Sequence, residues 1–150
     1  VGCVIQAYLR RSESDIRRLA ALGATVRLCK GAYREPSALA FASRQEVDEH
    51  YARLMGRLLA PESIFRGTYP AFATHDERMH ALAARHGAPR ETFELQMLYG
   101  IGDDLSARLR AGGIRLRRLV PFGEDWYGYF MRRLAERPAN LVFLLRNLAR

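Results

Sequence analysis

The chain has 150 residues, of which 49% are apolar and 27% are charged, a composition that can bury a core and excludes a disordered tail. No apolar run approaches the ~18 residues that a membrane-spanning helix needs, so the sequence predicts no such helix. The net charge is +8, and Lys30 is the only lysine among 24 basic residues. This predominance of arginine indicates a bias in codon composition more readily than it indicates a ligand.

Apolar residues recur with the period of a strand and then with the period of a helix, and the switch is repeated along the chain. The predicted strands cover residues 1–9, 25–32, 69–74, 92–98 and 116–122. Helices are predicted from Asp15 to Gly23, over Val47–Leu58 before Pro61, from Asp76 to Gly87, from Asp103 to Gly112, and over 126–149 with a break at Pro138.

Strands that alternate with helices predict an α/β fold with a parallel sheet, because the helix is the crossover between parallel strands. A doubly wound dinucleotide fold needs a glycine-rich turn after its first strand, and residues 6–14 contain no glycine. We therefore predict a (β/α)8 barrel of the TIM type. Five of its eight strand–helix units are visible, so residues 1–150 are expected to be a single domain that forms its C-terminal part, strands 4 to 8, with the N-terminal part absent.

The second predicted strand carries a charged residue, Arg27, among largely apolar neighbours. The two-residue alternation places Arg27, Cys29 and Gly31 on one face. A guanidinium in a barrel mouth needs an anionic or electron-rich partner, which could be a ligand or Glu94 of the fourth strand. Lys30 and Gly31 end the strand, where they indicate either close approach of a ligand or a plain turn.

The third predicted strand ends in Thr74 and His75 where a helix begins, an arrangement that can bind an anion. The alternative is that Asp76 is a simple N-cap and that His75 is a solvated loop residue. Other polar side chains also alternate onto single faces of the first and fourth strands, and these are Gln6, Tyr8, Glu94 and Gln96.

In the last predicted helix, Tyr129, Arg132, Arg133 and Glu136 follow one another at helical spacing. Two adjacent guanidinium groups could bind a small carboxylate while the aromatic ring covers its apolar side. An exposed, ion-paired face is the usual meaning of such a pattern. Cys3 and Cys29 lack CxxC spacing, and no cluster has metal-ligand spacing, so we predict no disulfide and no metal site, in a reducing setting.

Six motifs in sequence resemble those of bacterial proline dehydrogenase, an FAD enzyme that oxidises L-proline to 1-pyrroline-5-carboxylate. They are QAYLRRSESD at 6–15, RLCKGAYREP at 27–36, FATHDE at 72–77, FELQMLYGI at 93–101, VPFG at 120–123 and WYGYFMRRLAERPAN at 126–140. The resemblance covers essentially the whole chain, from the family's fourth barrel strand to its eighth helix. It implies hydride transfer to FAD as the first step of proline catabolism.

The resemblance also assigns roles to individual residues. It makes Gln6 a flavin-binding amide and Arg27 the catalytic guanidinium near the flavin N5. The remaining cofactor-binding residues would be Lys30, Gly31 and Ala32 along the ribityl-diphosphate chain, and Thr74 and His75 at the next strand end.

The substrate would be held by a second group of residues. Arg132 and Arg133 would pair with the proline carboxylate, with Glu136 ordering the arginine pair. Tyr33 and Leu98 would contribute to the pocket. The family usually has tyrosine where this chain has Leu119, which puts its selectivity for the proline ring in question.

Further expectations concern partners and location. The resemblance implies a quinone as electron acceptor and a cytoplasmic enzyme with peripheral contact to the inner membrane. Residues 1–150 alone are expected to be inactive and to bind FAD weakly or not at all, because an open half-barrel exposes sheet edges.

Two other classes of function are compatible with parts of the sequence. One is a related flavin barrel that acts on a proline analogue or on a methylenetetrahydrofolate-type substrate. The other is a basic nucleic-acid-binding module, which the net charge of +8 suggests. The arginines are dispersed over several helices without interleaved aromatic residues, so no nucleic-acid partner is expected.

Overall fold

The computed structural model describes residues 2–31, 33, 35–124 and 128. The chain divides into two compact units, Val1–Leu119 and Val120–Arg150. In the second unit, the described residues 120–124 and 128 are exposed. Apart from residue 128, the helix predicted over 126–149 lies outside the described residues, and the single domain predicted over 1–150 stays a prediction.

The described residues of the first unit form one sheet of five parallel strands. They are β1 (Cys3–Gln6), β2 (Thr25–Cys29), β3 (Tyr69–Ala73), β4 (Glu94–Leu98) and β5 (Leu116–Leu119). Their order in the sheet is their order in the chain. A doubly wound sheet reverses direction at a switch point, whereas a barrel adds each strand beside the previous one. The predicted parallel α/β arrangement is therefore confirmed, and the strand order is that of a barrel.

Five helices connect and follow these strands within the described residues. They are α1 (Ser12–Ala21), α2 (Arg44–Leu58), α3 (Pro61–Phe65), α4 (Glu77–Arg85) and α5 (Asp103–Ala111). In this part of the chain no helix is both long and apolar enough to cross a membrane. The short α3 was not predicted from the sequence, where Pro61 marked only the end of α2. Proline at the first helical position can instead start a helix, because the missing N–H is not needed there.

The strands are shorter than predicted, for local reasons that differ between them. The predicted strand 25–32 ends at Cys29, and two residues later Gly31 has a φ of +109°, outside the strand conformation. The predicted strand 92–98 begins only at Glu94, because residues Arg90–Thr92 form a 3₁₀ turn. The Thr92 hydroxyl closes this turn by donating to the Pro89 carbonyl at 2.6 Å.

The helices pack on one face of the sheet and form the core there. Val26, Leu28 and Phe72 of the sheet are fully buried, together with Tyr51 and Leu54 of α2. Burial of such side chains stabilises a fold by roughly 1.5–3 kcal/mol each. Because side chains alternate along a strand, the residues between these core positions point to the opposite face. That face carries the polar groups described below.

Gly23 follows the C-cap of α1, Leu22, so the helix ends there as the sequence predicted. Its φ is +65°, and a Cβ added there would lie 2.1 Å from the backbone oxygen of Arg66. A side chain at this position would therefore meet both backbone strain and a rigid neighbour.

We expect Gly23→Ala to lower the free energy of unfolding more than Gly87→Ala. Gly87 also has a positive φ, +87°, but an added Cβ has no heavy atom within 4 Å. The left-handed backbone costs roughly 1–2 kcal/mol in both variants, and the collision with Arg66 adds about 1–3 kcal/mol in the first. Urea unfolding of the intact protein measures both values. Equal losses would show that the backbone contact at Gly23 is unimportant.

Candidate active site

The sheet face that the helices of the first unit leave uncovered is organised in register rows. One row runs across all five strands and contains Gln6, Cys29, Ala73, Gln96 and Arg117. Side chains in one row of a parallel sheet point to the same side. This face, here called the polar face, therefore combines amides and a guanidinium with small residues on β3.

The row next to it, towards the start of the strands, contains Val4, Arg27, Ala71 and Glu94. Arg27 and Glu94 are separated by the whole of β3, so their backbones are roughly 10 Å apart. Ala71 lies between them and is too small to fill the gap. The register therefore places Arg27 on the polar face, as predicted, but not beside the carboxylate that was its alternative partner.

Glu94 is bound by another arginine. Arg117 donates to both carboxylate oxygens, with Nε 2.7 Å and Nη2 2.9 Å away, and Gln96 donates to one of them at 2.6 Å. The hydrogen bond from Arg117 is the main reason why the pKa of Glu94 lies below its usual value, although burial opposes the shift. Of the two alternatives for Arg27, the ion pair with Glu94 is therefore wrong, because Arg117 occupies the carboxylate.

Arg27 itself has an unsatisfied donor. Its Nε is buried and has no hydrogen-bond partner among the described residues, and no ion pair within that part of the chain includes its guanidinium. A buried N–H without a partner costs about 1–3 kcal/mol. Such a group in the middle of a polar face fits an acceptor that is supplied from outside the described residues.

Lys30 lies one residue beyond β2 and contacts the helices. Its ammonium donates to Asp48 of α2 and, at 2.7 Å, to Asp76 at the start of α4, and Lys30 is only 8% exposed. Arg78 donates to the same two carboxylates, at 2.7 Å and 2.8 Å. The structure thus places the Lys30 charge in an ion cluster and does not bring it to Arg27.

Gly31, the next residue, lies against an aromatic ring. A Cβ added there would be 2.1 Å from the Cδ1 of Tyr8. The backbone on either side of this contact is fixed, because the Tyr8 N–H donates to the Lys30 carbonyl at 2.9 Å and the Tyr8 carbonyl accepts from the Phe41 N–H at 2.8 Å. Glycine at position 31 therefore allows the ends of β1 and β2 to approach closely.

The end of β3 is fixed by three hydrogen bonds. The Thr74 carbonyl accepts from His80 Nε2 at 2.8 Å, and the Thr74 hydroxyl accepts from the Asp76 N–H at 3.1 Å. His75 Nε2 accepts from the Leu98 N–H at 3.0 Å. The side chain of Asp76 caps α4 by accepting from the Arg78 N–H at 3.0 Å, so the predicted N-cap is confirmed.

The alternative interpretation of His75 as a solvated loop residue is wrong. The imidazole is half-buried and joins the end of β3 to the end of β4. Because Nε2 accepts a hydrogen bond, the proton of the neutral ring is on Nδ1. Burial lowers the pKa of His80, so its ring is neutral at pH 7 and donates from Nε2.

The other predicted site residues divide into two groups. Gln6 and Leu98 are half-buried on the polar face, whereas Tyr33 is 60% exposed. Ala32, Arg132, Arg133 and Glu136 lie outside the described residues. Within the described part of the chain, no group of three or more His, Cys, Asp and Glu side chains is arranged to hold a metal ion.

Comparison with known proteins places this geometry in a family. The family model of proline dehydrogenase matches residues 1–146. The chain belongs to the proline dehydrogenase family. It is 44% identical to proline dehydrogenase 2 of Bacillus subtilis strain 168 over 154 residues, and 42% identical to proline dehydrogenase of Deinococcus radiodurans over 152 residues. It covers 100% and 99% of its own length in these matches, and 49% and 47% of the relatives, so it spans about half of each relative.

Solved structures of proline utilization A share the fold. The protein from Bdellovibrio bacteriovorus, inactivated by N-propargylglycine, superposes with a TM-score of 0.78 and 33% identity over 89% of this chain and 16% of that one. A Bradyrhizobium japonicum variant gives 0.76 and 28% over the same shares. The five strands are therefore part of a TIM-type barrel, which confirms the predicted fold class of this proline dehydrogenase family member.

Sequence reasoning missed Asp48, Arg78 and His80. Asp48 carries a detectable signal, because it lies three residues before Tyr51 on the apolar stripe of α2, where a carboxylate must be buried. A buried carboxylate needs a cation, but the sequence has 24 basic residues and does not indicate which of them it is. His80 falls on the buried side of α4 with Met79 and Ala83, but nothing in its spacing indicates the Thr74 carbonyl.

We expect Glu94→Gln to lower the free energy of unfolding at pH 7 by about 1–3 kcal/mol, since the charged pairing with Arg117 is lost. The lowered pKa means that the pairing contributes fully above the unfolded value of roughly 4.3 and is lost as the pH falls. The variant should therefore lose less stability between about pH 5 and 3 than the wild type.

Urea unfolding at several pH values measures this difference. Glu91→Gln, which changes an exposed carboxylate three residues earlier, is the matched control and should keep the pH profile of the wild type. If the Glu94→Gln variant lost as much stability as the wild type between about pH 5 and 3, this result would contradict the pairing of Glu94 with Arg117.

Proposed function

We propose that this chain forms the C-terminal half of the barrel of an FAD-dependent enzyme that oxidises L-proline to 1-pyrroline-5-carboxylate. The proposal is supported by membership of the proline dehydrogenase family over residues 1–146 and by one feature of the polar face. That feature is the buried Nε of Arg27, which has no acceptor among the described residues.

The residues of the polar face fit a flavin. An isoalloxazine ring offers carbonyl oxygens and ring nitrogens as acceptors, and the planar guanidinium of Arg27 offers donors in a fixed fork. Gln6 lies one row nearer the carboxyl ends of the strands and can donate or accept through its amide. When bound, FAD supplies the two-electron acceptor: proline loses a hydride from C5 and a proton from its nitrogen, and 1-pyrroline-5-carboxylate and reduced flavin result.

Arg27 is the residue for which we propose an electrostatic role. It projects from the middle of β2, a strand paired on both sides, so its position is set before any ligand arrives. A fixed cation stabilises negative charge that develops on a neighbouring ring without having to reorganise. We therefore propose that Arg27 stabilises the negative charge of the reduced acceptor.

The rest of the cofactor and the substrate would be held at the carboxyl ends of the strands. Gly31 and Ala32 after β2, and Thr74 and His75 after β3, are proposed to bind the cofactor, since the carboxyl ends of the strands build the sites of barrel enzymes. Tyr33, Leu98 and the arginine pair Arg132 and Arg133, ordered by Glu136, are proposed to bind L-proline. Fixing its carboxylate would orient C5 of proline for hydride transfer.

The electron acceptor and the cellular location are the last parts of the proposed function. We propose that a quinone reoxidises the enzyme. We also propose that the enzyme is cytoplasmic and makes peripheral contact with the inner membrane. The net charge of +8 supports contact with anionic lipid. Binding of anionic vesicles that weakens with salt, and quinone reduction with L-proline, are the measurements that test this part.

We expect Arg27→Met in the intact protein to lose bound flavin on desalting and to lower kcat/KM for L-proline by about 100-fold or more. Arg27→Lys keeps the charge but not the planar fork, so its loss should be smaller. Arg53→Met, on the exposed side of α2, is the control and should behave like the wild type. Thermal unfolding of all three variants shows whether they are folded.

Two results would contradict the proposal. A folded Arg27→Met variant with wild-type flavin content and turnover would remove Arg27 from the site. Turnover of 4-hydroxyproline or of a methylenetetrahydrofolate-type donor in preference to L-proline would assign the intact enzyme to a different reaction of a flavin barrel.

A further inference from the structure

Four charged side chains form a closed ring beside the ends of β2 and β3. Lys30 contacts Asp48 and Asp76, and Arg78 contacts the same two carboxylates, so positive and negative groups alternate around the ring. The side chains of Lys30, Asp48 and Asp76 are only 9%, 11% and 12% exposed, whereas Arg78 is 66% exposed. The ring, here called the charge ring, is formally neutral.

The donors and acceptors of the charge ring are largely committed to each other. Of the three N–H groups of the Lys30 ammonium, one is directed to Asp48 and one to Asp76. Each oxygen of the two carboxylates accepts at least one hydrogen bond from Lys30 or Arg78. A phosphate group would have to compete with both carboxylates for the same ammonium.

The charge ring connects the segments that the proposed function assigns to the cofactor. Lys30 immediately precedes Gly31, and Asp76 immediately follows His75. Asp48 belongs to α2, which packs behind both strands. The ring therefore fixes the end of β2 and the end of β3 relative to a common helix.

We propose that Lys30 is a positioning residue that acts through Asp48 and Asp76, and that its ammonium is not a ligand of the cofactor diphosphate. This inference rests on the proposed function. It differs from the role that the sequence resemblance implies for Lys30, in which the side chain would line the diphosphate chain. The backbone at Gly31 would then be presented to the cofactor, with Lys30 holding it in place.

The two roles predict opposite results in a double-mutant cycle. Lys30→Gln leaves two buried carboxylates facing one exposed guanidinium, an uncompensated negative charge that displaces both strand ends. Lys30→Gln combined with Asp48→Asn leaves only Asp76 with Arg78, which is again neutral. If Lys30 acts through the ring, the second change repairs part of the damage caused by the first.

The experiment uses the intact protein after removal of its flavin, with FAD as the probe. The dissociation constant of FAD is measured by quenching of flavin fluorescence. The geometry of the isoalloxazine group of the bound FAD is followed by visible circular dichroism. We expect Lys30→Gln to weaken FAD binding by about tenfold or more, and the double variant to recover at least about half of this loss on a logarithmic scale, with a wild-type visible spectrum.

A direct contact between Lys30 and the cofactor diphosphate would give the opposite result. If Lys30 contacts the diphosphate, the double variant binds FAD as weakly as Lys30→Gln or more weakly, and the proposal is overturned. If Lys30→Gln alone does not fold, the double variant decides: FAD binding within about tenfold of the wild type supports positioning, and weaker binding overturns it. The matched control is Arg108→Gln combined with Glu77→Gln, which removes an exposed ion pair next to Asp76 and should leave FAD binding unchanged.

Failure of the proposed function is distinguishable from failure of this inference. A wild-type protein that neither binds FAD nor oxidises L-proline would refute the proposed function alone. Urea unfolding of the flavin-free variants still measures whether the effects of Lys30→Gln and Asp48→Asn are coupled. If the two substitutions had additive effects on the free energy of unfolding, the inference that the charge ring acts as a unit would be overturned. Coupled effects would support it.

Discussion

The alternation of side chains along parallel strands is the constraint on which this structure depends. Within the first unit the helices cover one face of the sheet, so every second residue of a strand joins the core and its neighbour does not. Val26 and Leu28 are fully buried, while Arg27 between them carries a charge that the core could not accept. One-sided packing thus creates the polar face as a direct result of building the apolar one.

Three basic side chains near this sheet differ in whether a carboxylate balances their charge. Arg117 is neutralised by Glu94 and Lys30 by the charge ring, so neither cation has strong attraction left for an incoming anion. Arg27 has no such carboxylate in the described part of the chain. Among these three cations, Arg27 is therefore the one whose charge is not balanced by a carboxylate within the described residues.

The sequence predicted the fold class, the parallel sheet and most elements, because these depend on the period of the apolar residues and on local caps such as Asp76. It did not predict which cation pairs with which carboxylate. The alternation of side chains left Glu94 open as a partner of Arg27, yet the register places it beside β5, where Arg117 reaches it. Register and contacts across the sheet are properties of the assembled chain, so Asp48 and His80 acquire their roles only when α2 and α4 pack.

The outermost strands of the described sheet have a practical consequence for preparations of the protein. β1 and β5 each have a strand neighbour on one side only among the described residues, and Val4 of β1 is 58% exposed. The unpaired N–H and C=O groups of a strand edge are a template for pairing with another strand. Any preparation in which these two edges lack a neighbouring strand would therefore be prone to self-association, which a low protein concentration would reduce.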